Sequence, residues 1–167
     1  NKPSEAFTAY QNALRYMGRP QKMVQFASIA MVDIGKNLLA QNVELIKGLN
    51  VLKTAYNLNP REPVVQRGLT QGFNSLFWRL AAQENYSAII EESNKVISQT
   101  FLKPGIIQNV DSIALTLEKL NATSSLINAR LLRTSMVDWA PEQTSVWKAV
   151  YNLDLILHAH KQKSGSP

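Results

Sequence analysis

The sequence predicts an all-α fold of about eight helices. Apolar residues recur at steps of three and four along most of the 167 residues, which places them on one face of a helix. No stretch of note shows the strict alternation of apolar and polar residues that a half-buried strand requires. Glycine and proline residues interrupt the pattern at intervals, and these interruptions separate the predicted helices.

The first two helices lie in the N-terminal quarter of the chain. Helix one starts around Ser4, which we expect to be its N-cap, and stops at Gly18, which the Arg19-Pro20 pair follows. Its predicted face consists of Ala6, Tyr10, Ala13, Leu14 and Met17. Helix two covers roughly residues 21–40, and its early part is apolar nearly all round. Such a helix is usually packed between neighbours.

Helix three begins near Val43 and carries small residues on its apolar face. Gly48 and Ala55 lie seven residues apart on that face, so they allow a neighbouring helix to approach closely. The Asn59-Pro60 pair ends the helix, because the residue before a proline is pushed out of the α region.

Five more helices follow, at about residues 64–84, 86–98, 106–120, 123–139 and 142–160. In the first of these, Gly68 and Gly72 share a side, which predicts a close helix contact there because each glycine otherwise costs about 1 kcal/mol. Thr123 or Ser124 is the expected N-cap of helix seven. Residues 161–167 are predicted to form a disordered tail beyond a single domain of residues 1–160.

The offsets within helix three resemble those of a known repeat family. The pattern that carries the resemblance is Gly48, Leu52, Ala55, Leu58 and Pro60. It is similar to the second helix of a tetratricopeptide (TPR) repeat. Ala6, 42 residues earlier, starts a copy of the same offsets, and a fixed period of 20–50 residues is typical of a solenoid. Helix seven follows the pattern too, except that Arg133 occupies the position of Leu52.

The resemblance implies a right-handed superhelical array of antiparallel helix hairpins, a TPR-like α-solenoid. Helices two, four and six then take the first-helix role, helices one, three, five and seven take the second-helix role, and helix eight covers the open end. The alternative fold is an irregular antiparallel helical bundle.

Residues that carry chemistry are scarce, so we predict no enzyme, no cofactor and no metal site. The chain has no cysteine, and His158 and His160 are two residues apart, so on a helix they point in different directions. No glycine-rich phosphate loop and no nucleophile–base pair is evident from spacing. Asp33 lies in an apolar helix, where it is either a functional carboxylate or the partner of Lys36 or Lys47.

The leading functional prediction, implied by the resemblance, is binding of a partner's peptide or helix in a concave groove. First-helix residues line that groove in the TPR family, and the corresponding residues here are Lys36, Asn74, Trp78 and Gln108. Trp78 and Arg79 together suit an interface, although packing in the core is the alternative for Trp78. Val32 occupies the first lysine position of the family's carboxylate clamp, so we do not predict that clamp.

Two other functions remain open. The chain is either a structural segment of a larger helical-repeat assembly or envelope export apparatus, with self-association, or a basic surface for nucleic acid or anionic lipid. The basic-surface hypothesis depends on the net charge of +6, and its candidate residues are Arg15, Arg19, Lys22, Arg61, Arg67, Arg130 and Arg133.

No transmembrane segment is predicted, because Asp33 and Lys36 interrupt the most apolar run. A cytoplasmic and a periplasmic location are both compatible with the sequence.

Overall fold

The computed structural model describes residues 2–17, 20–41 and 45–165, and within these ranges the chain is all-helical. The predicted all-α class and the predicted number of helices are therefore confirmed for the described part of the chain. The helices are α1 Lys2–Tyr16, α2 Gln21–Ala40, α3 Leu45–Leu58, α4 Pro63–Ala82, α5 Tyr86–Asn94, α6 Lys103–Leu120, α7 Thr123–Trp139 and α8 Thr144–Ser164. The predicted residues Gly18, Arg19 and Val43 lie outside the described ranges.

The chain divides into two compact units. Unit 1 comprises Asn1–Arg79 and holds α1, α2, α3 and most of α4. Unit 2 comprises Leu80–Pro167 and holds the last turn of α4 together with α5, α6, α7 and α8.

In unit 1, glycines let the helix backbones approach each other closely. A Cβ atom on Gly48 of α3 would lie 3.0 Å from the carbonyl oxygen of Gly35 in α2. A Cβ atom on Gly68 of α4 would lie 2.5 Å from Cγ1 of Val32, and one on Gly72 would overlap Leu52. The close approaches predicted at Gly48, Gly68 and Gly72 are therefore confirmed, and α4 packs against both α2 and α3.

In unit 2, α7 packs against α6 on one side and α8 on the other. The C-terminal end of α7 also contacts α5, because the indole Nε1 of buried Trp139 donates a 2.7 Å hydrogen bond to Oδ1 of Asn94. The side chains that fill this unit are the apolar faces of α6 and α7, namely Ile106, Val110, Ile113, Leu117, Leu126, Ala129, Leu132 and Met136.

Several predicted helix ends were wrong. Helix α6 begins at Lys103 rather than near residue 106, because Pro104 fits the first turn, where a proline lacks no required hydrogen bond. Helix α1 begins at Lys2, which puts the expected cap Ser4 inside the helix. Helix α7 is preceded by Ala122 and has no side-chain cap, so neither Thr123 nor Ser124 caps it.

The last helix continues to Ser164, four residues into the segment expected to be a tail.

Of the helices in the described ranges, none combines the length and the apolar character that a bilayer span needs.

Candidate functional site

The structure brings two of the predicted partner-binding residues together and separates the others. Lys36 of α2 and Arg79 of α4 line the same groove in unit 1. Gln108 lines a different cavity, in unit 2. Trp78 is 44% exposed, so the alternative of core packing for this residue was wrong. Trp78 and half-buried Asn74 belong to α4 but line neither cavity.

The groove in unit 1, which we call the α2–α4 groove, has a volume of about 210 Å³. Its lining residues are Lys36, Leu39, Ala40, Gln71, Gly72, Ser75 and Arg79. Gln71, Ser75 and Arg79 follow one another at steps of four, so they form one column along α4. Gly72 belongs to the floor, where a larger residue would strike Leu52.

The α2–α4 groove is positively charged. None of its described lining residues carries a carboxylate, and neither Lys36 nor Arg79 forms an ion pair with a described residue. The Arg79 Nε atom donates a 3.4 Å hydrogen bond to the Ser75 hydroxyl, which holds the guanidinium against the preceding turn of α4. Asp33, one turn before Lys36, is exposed and does not line the groove.

In the described part of unit 2, a pair of cavities follows α6 and α8. Their volumes are about 510 Å³ and 250 Å³, and Arg133 of α7 lines both. We call them together the α6–α8 trough. The larger cavity is lined by Lys103, Pro104, Ile107, Gln108, Asp111, Arg133, Met136, Glu142, Gln143, Ser145 and Val146. The smaller is lined by Leu115, Glu118, Asn121, Leu126, Arg133, Ala149, Asn152, Leu153 and Ile156.

The walls of the trough are single helix faces. The residues that α6 contributes are spaced by three, four and seven from Pro104 to Glu118, and those of α8 are spaced likewise from Ser145 to Ile156. Helix α7, which packs between them, supplies the floor. At 1.5 Å per residue the α6 wall is about 21 Å long.

Arg133 is a buried cation in the middle of the trough floor. It is 7% exposed, and its Nη2 atom lies 3.3 Å from Oδ1 of Asp111. Its Nε atom lies 2.9 Å from Oε1 of Glu118, but the contact lacks hydrogen-bond geometry, and both atoms are buried without a hydrogen bond. Burial raises the pKa of Glu118 above its ordinary value, although the positive charge of Arg133 opposes this.

The sequence pattern misplaced Arg133. It was a candidate for a nucleic-acid surface, whereas its burial leaves it little contact with solvent. Arg130, another candidate, forms an ion pair with Asp154. The signal that identifies Arg133 was present in the sequence, because this arginine occupies a position where the second-helix pattern has an apolar residue. A charge at a core position is retained when it has partners.

Helix α8 also has an apolar face outside the trough. Trp147, Tyr151 and Leu155 recur at steps of four, and each is at least half exposed. The Trp147 indole Nε1 donates a 3.0 Å hydrogen bond to the carbonyl oxygen of Pro141, which fixes the ring at the start of the helix. We call these three residues the α8 outer stripe.

In the described ranges, no three His, Asp or Glu side chains come together in a way that suits a metal ion.

No protein-family model, no curated protein and no solved structure matches the chain.

Proposed function

We propose that the protein is an interaction module that holds a peptide or helix of a partner protein in the α6–α8 trough. The observation that carries this proposal is the pair of cavities aligned on either side of Arg133, with one face of α6 and one face of α8 as walls. The larger cavity lies in the size range of binding sites, and it combines apolar side chains with several polar and charged ones.

The dimensions of the trough suit a short segment of chain. A length of about 21 Å accommodates some six residues of extended peptide or about 14 residues of helix. Leu115 and Ile156 line the smaller cavity and are 43% and 40% exposed, so they offer an apolar seat for one anchoring side chain. Burial of that side chain contributes about 25 cal/mol for each Å² removed from water. Gln108 and Ser145, in the larger cavity, are available for hydrogen bonds with the backbone of the segment.

The proposal includes a TPR-like arrangement of hairpins within each unit. Two packing relations support it: α4 packs against both α2 and α3, and α7 packs between α6 and α8. In such an arrangement α6 and α8 are successive first helices, which are the helices that line the groove in the TPR family.

Replacement of Ile156 by glutamate is expected to weaken peptide binding by about tenfold or more, because a charge replaces one side of the apolar seat. The measurement uses peptides selected from a random-peptide library on the immobilised protein, with affinities determined by fluorescence polarisation. Leu155→Glu is the matched control, since Leu155 is the adjacent residue of α8, is similarly exposed and does not line the trough. Selected peptides that bind both variants with equal affinity would show that the trough is not the binding site.

The α8 outer stripe favours a second candidate function, assembly with further copies of the chain. Exposed apolar residues that line up on one helix mark an interaction surface. If the stripe mediates self-association, sedimentation equilibrium will show a concentration-dependent increase in mass, and Leu155→Glu will reduce it while Ile156→Glu leaves it unchanged. A wild-type protein that stays monomeric across the concentration range would exclude this function.

A further inference from the structure

The net positive charge of the protein belongs entirely to unit 1. Residues 1–79 contain ten lysines and arginines and four aspartates and glutamates, whereas residues 80–167 contain eight of each kind. Unit 1 therefore carries the whole formal charge of +6, and unit 2 is formally neutral. A positive field around one unit attracts anions towards it and raises their rate of association.

Within unit 1, the α2–α4 groove gathers hydrogen-bond donors. Lys36 presents an ammonium group, and Gln71 presents an amide. Because Arg79 donates its Nε–H to the oxygen of Ser75, the hydroxyl hydrogen of Ser75 remains available, as do the terminal nitrogens of the guanidinium. The groove thus offers two positive charges and two neutral donors from two helices.

We propose that the α2–α4 groove binds a phosphate group. A phosphate monoester carries a charge of about −1.5 to −2 at neutral pH and several acceptor oxygens, which matches two cations and two neutral donors. A single carboxylate would leave one of the two charges uncompensated. This site lies in unit 1, so it is independent of the peptide-binding proposal for unit 2.

The alternative is a diffuse attraction of polyanions to all exposed cations of unit 1. Lys22, on the same helix as Lys36, and Arg67, on the same helix as Arg79, are both exposed but do not line the groove. A diffuse surface would use these two residues as much as the groove residues, whereas a local site would not. Lys22 and Arg67 are therefore the matched controls.

The test is a titration of the full chain with inorganic phosphate at constant ionic strength, followed by ¹H–¹⁵N NMR. We expect saturable shifts confined to the backbone amides around Lys36 and of residues 71–79. Lys36→Gln and Arg79→Gln are each expected to weaken phosphate binding by about tenfold, since each removes one charge-assisted contact. Lys22→Gln and Arg67→Gln should change the affinity by less than about twofold.

Two further probes identify the source of the phosphate. O-phosphoserine that binds at least as tightly as inorganic phosphate would assign the group to a phosphorylated side chain, and weaker binding would assign it to free phosphate. Glutamate that binds as tightly as phosphate would overturn the proposal, as would equal losses in the groove variants and the two controls. Thermal unfolding of each variant shows that it is folded, and Arg79→Lys, which retains the charge, should keep part of the affinity.

Discussion

Gly48→Ala is expected to lower the free energy of unfolding by about 1–3 kcal/mol, the cost of overpacking a core. In an exposed helix the same change adds about 1 kcal/mol of stability. The sign reverses here because the new methyl group would lie 3.0 Å from two backbone atoms, the Gly35 oxygen and the Leu39 nitrogen. Backbone atoms of packed helices cannot move aside as the end of a side chain can, so α2 and α3 must separate. Chemical denaturation monitored by circular dichroism measures the change.

Gly165→Ala is the control for Gly48→Ala. The nearest atom to a Cβ at Gly165 is the Lys161 oxygen at 3.4 Å, an ordinary contact distance. We expect this variant to stay within about 0.5 kcal/mol of the wild type. A stabilised Gly48→Ala protein would show that α2 and α3 are farther apart than described.

Replacement of Arg133 by methionine is expected to cost about 2–3 kcal/mol. Removal of one partner from a fully buried ion pair costs about 3–5 kcal/mol, because the remaining charge is left uncompensated. The cost is smaller here, since Asp111 and Glu118 keep part of their contact with water. Methionine retains the apolar packing of the arginine side chain, so the loss of unfolding free energy measures the effect of removing the positive charge.

The double variant Arg133→Met/Glu118→Gln tests that explanation. It should be more stable than Arg133→Met alone at neutral pH, because the uncompensated carboxylate is removed with the cation.

The loss of unfolding free energy caused by Arg133→Met should also become smaller as the pH falls. Burial raises the pKa of Glu118 above 4.5, so the folded protein takes up this proton before the unfolded chain does. A cost that is independent of pH would mean that Glu118 does not contribute to it.

Local signals predicted the all-α class and the helices of the described part of the chain. Apolar residues at steps of three and four located every helix, and glycines on an apolar face located the contacts among α2, α3 and α4. Helix ends were less predictable, because one residue type can follow the end of a helix or lie in its first turn. Pro104 both breaks a helix and starts one, and the sequence around it does not indicate which.

The grooves needed the tertiary structure. Lys36 and Arg79 were predicted separately, but that they line one groove depends on the packing of α4 beside α2. Of the α6–α8 trough only Gln108 was predicted, because the two walls are about 40 residues apart in the chain and no local pattern links them. Arg133 was assigned to the surface since a charge is normally solvated, although it occupies an apolar position of the second-helix pattern. Its two carboxylate partners, which the sequence does not reveal, are what allow its burial.

The three tryptophans give the molecule separate optical reporters. Trp78 is the single tryptophan of unit 1 and is 44% exposed. It belongs to α4, the helix that supplies one wall of the α2–α4 groove. In unit 2, Trp139 is enclosed and Trp147 faces solvent. With phenylalanine at positions 139 and 147, tryptophan emission and its quenching would come from the basic unit alone, without any added dye.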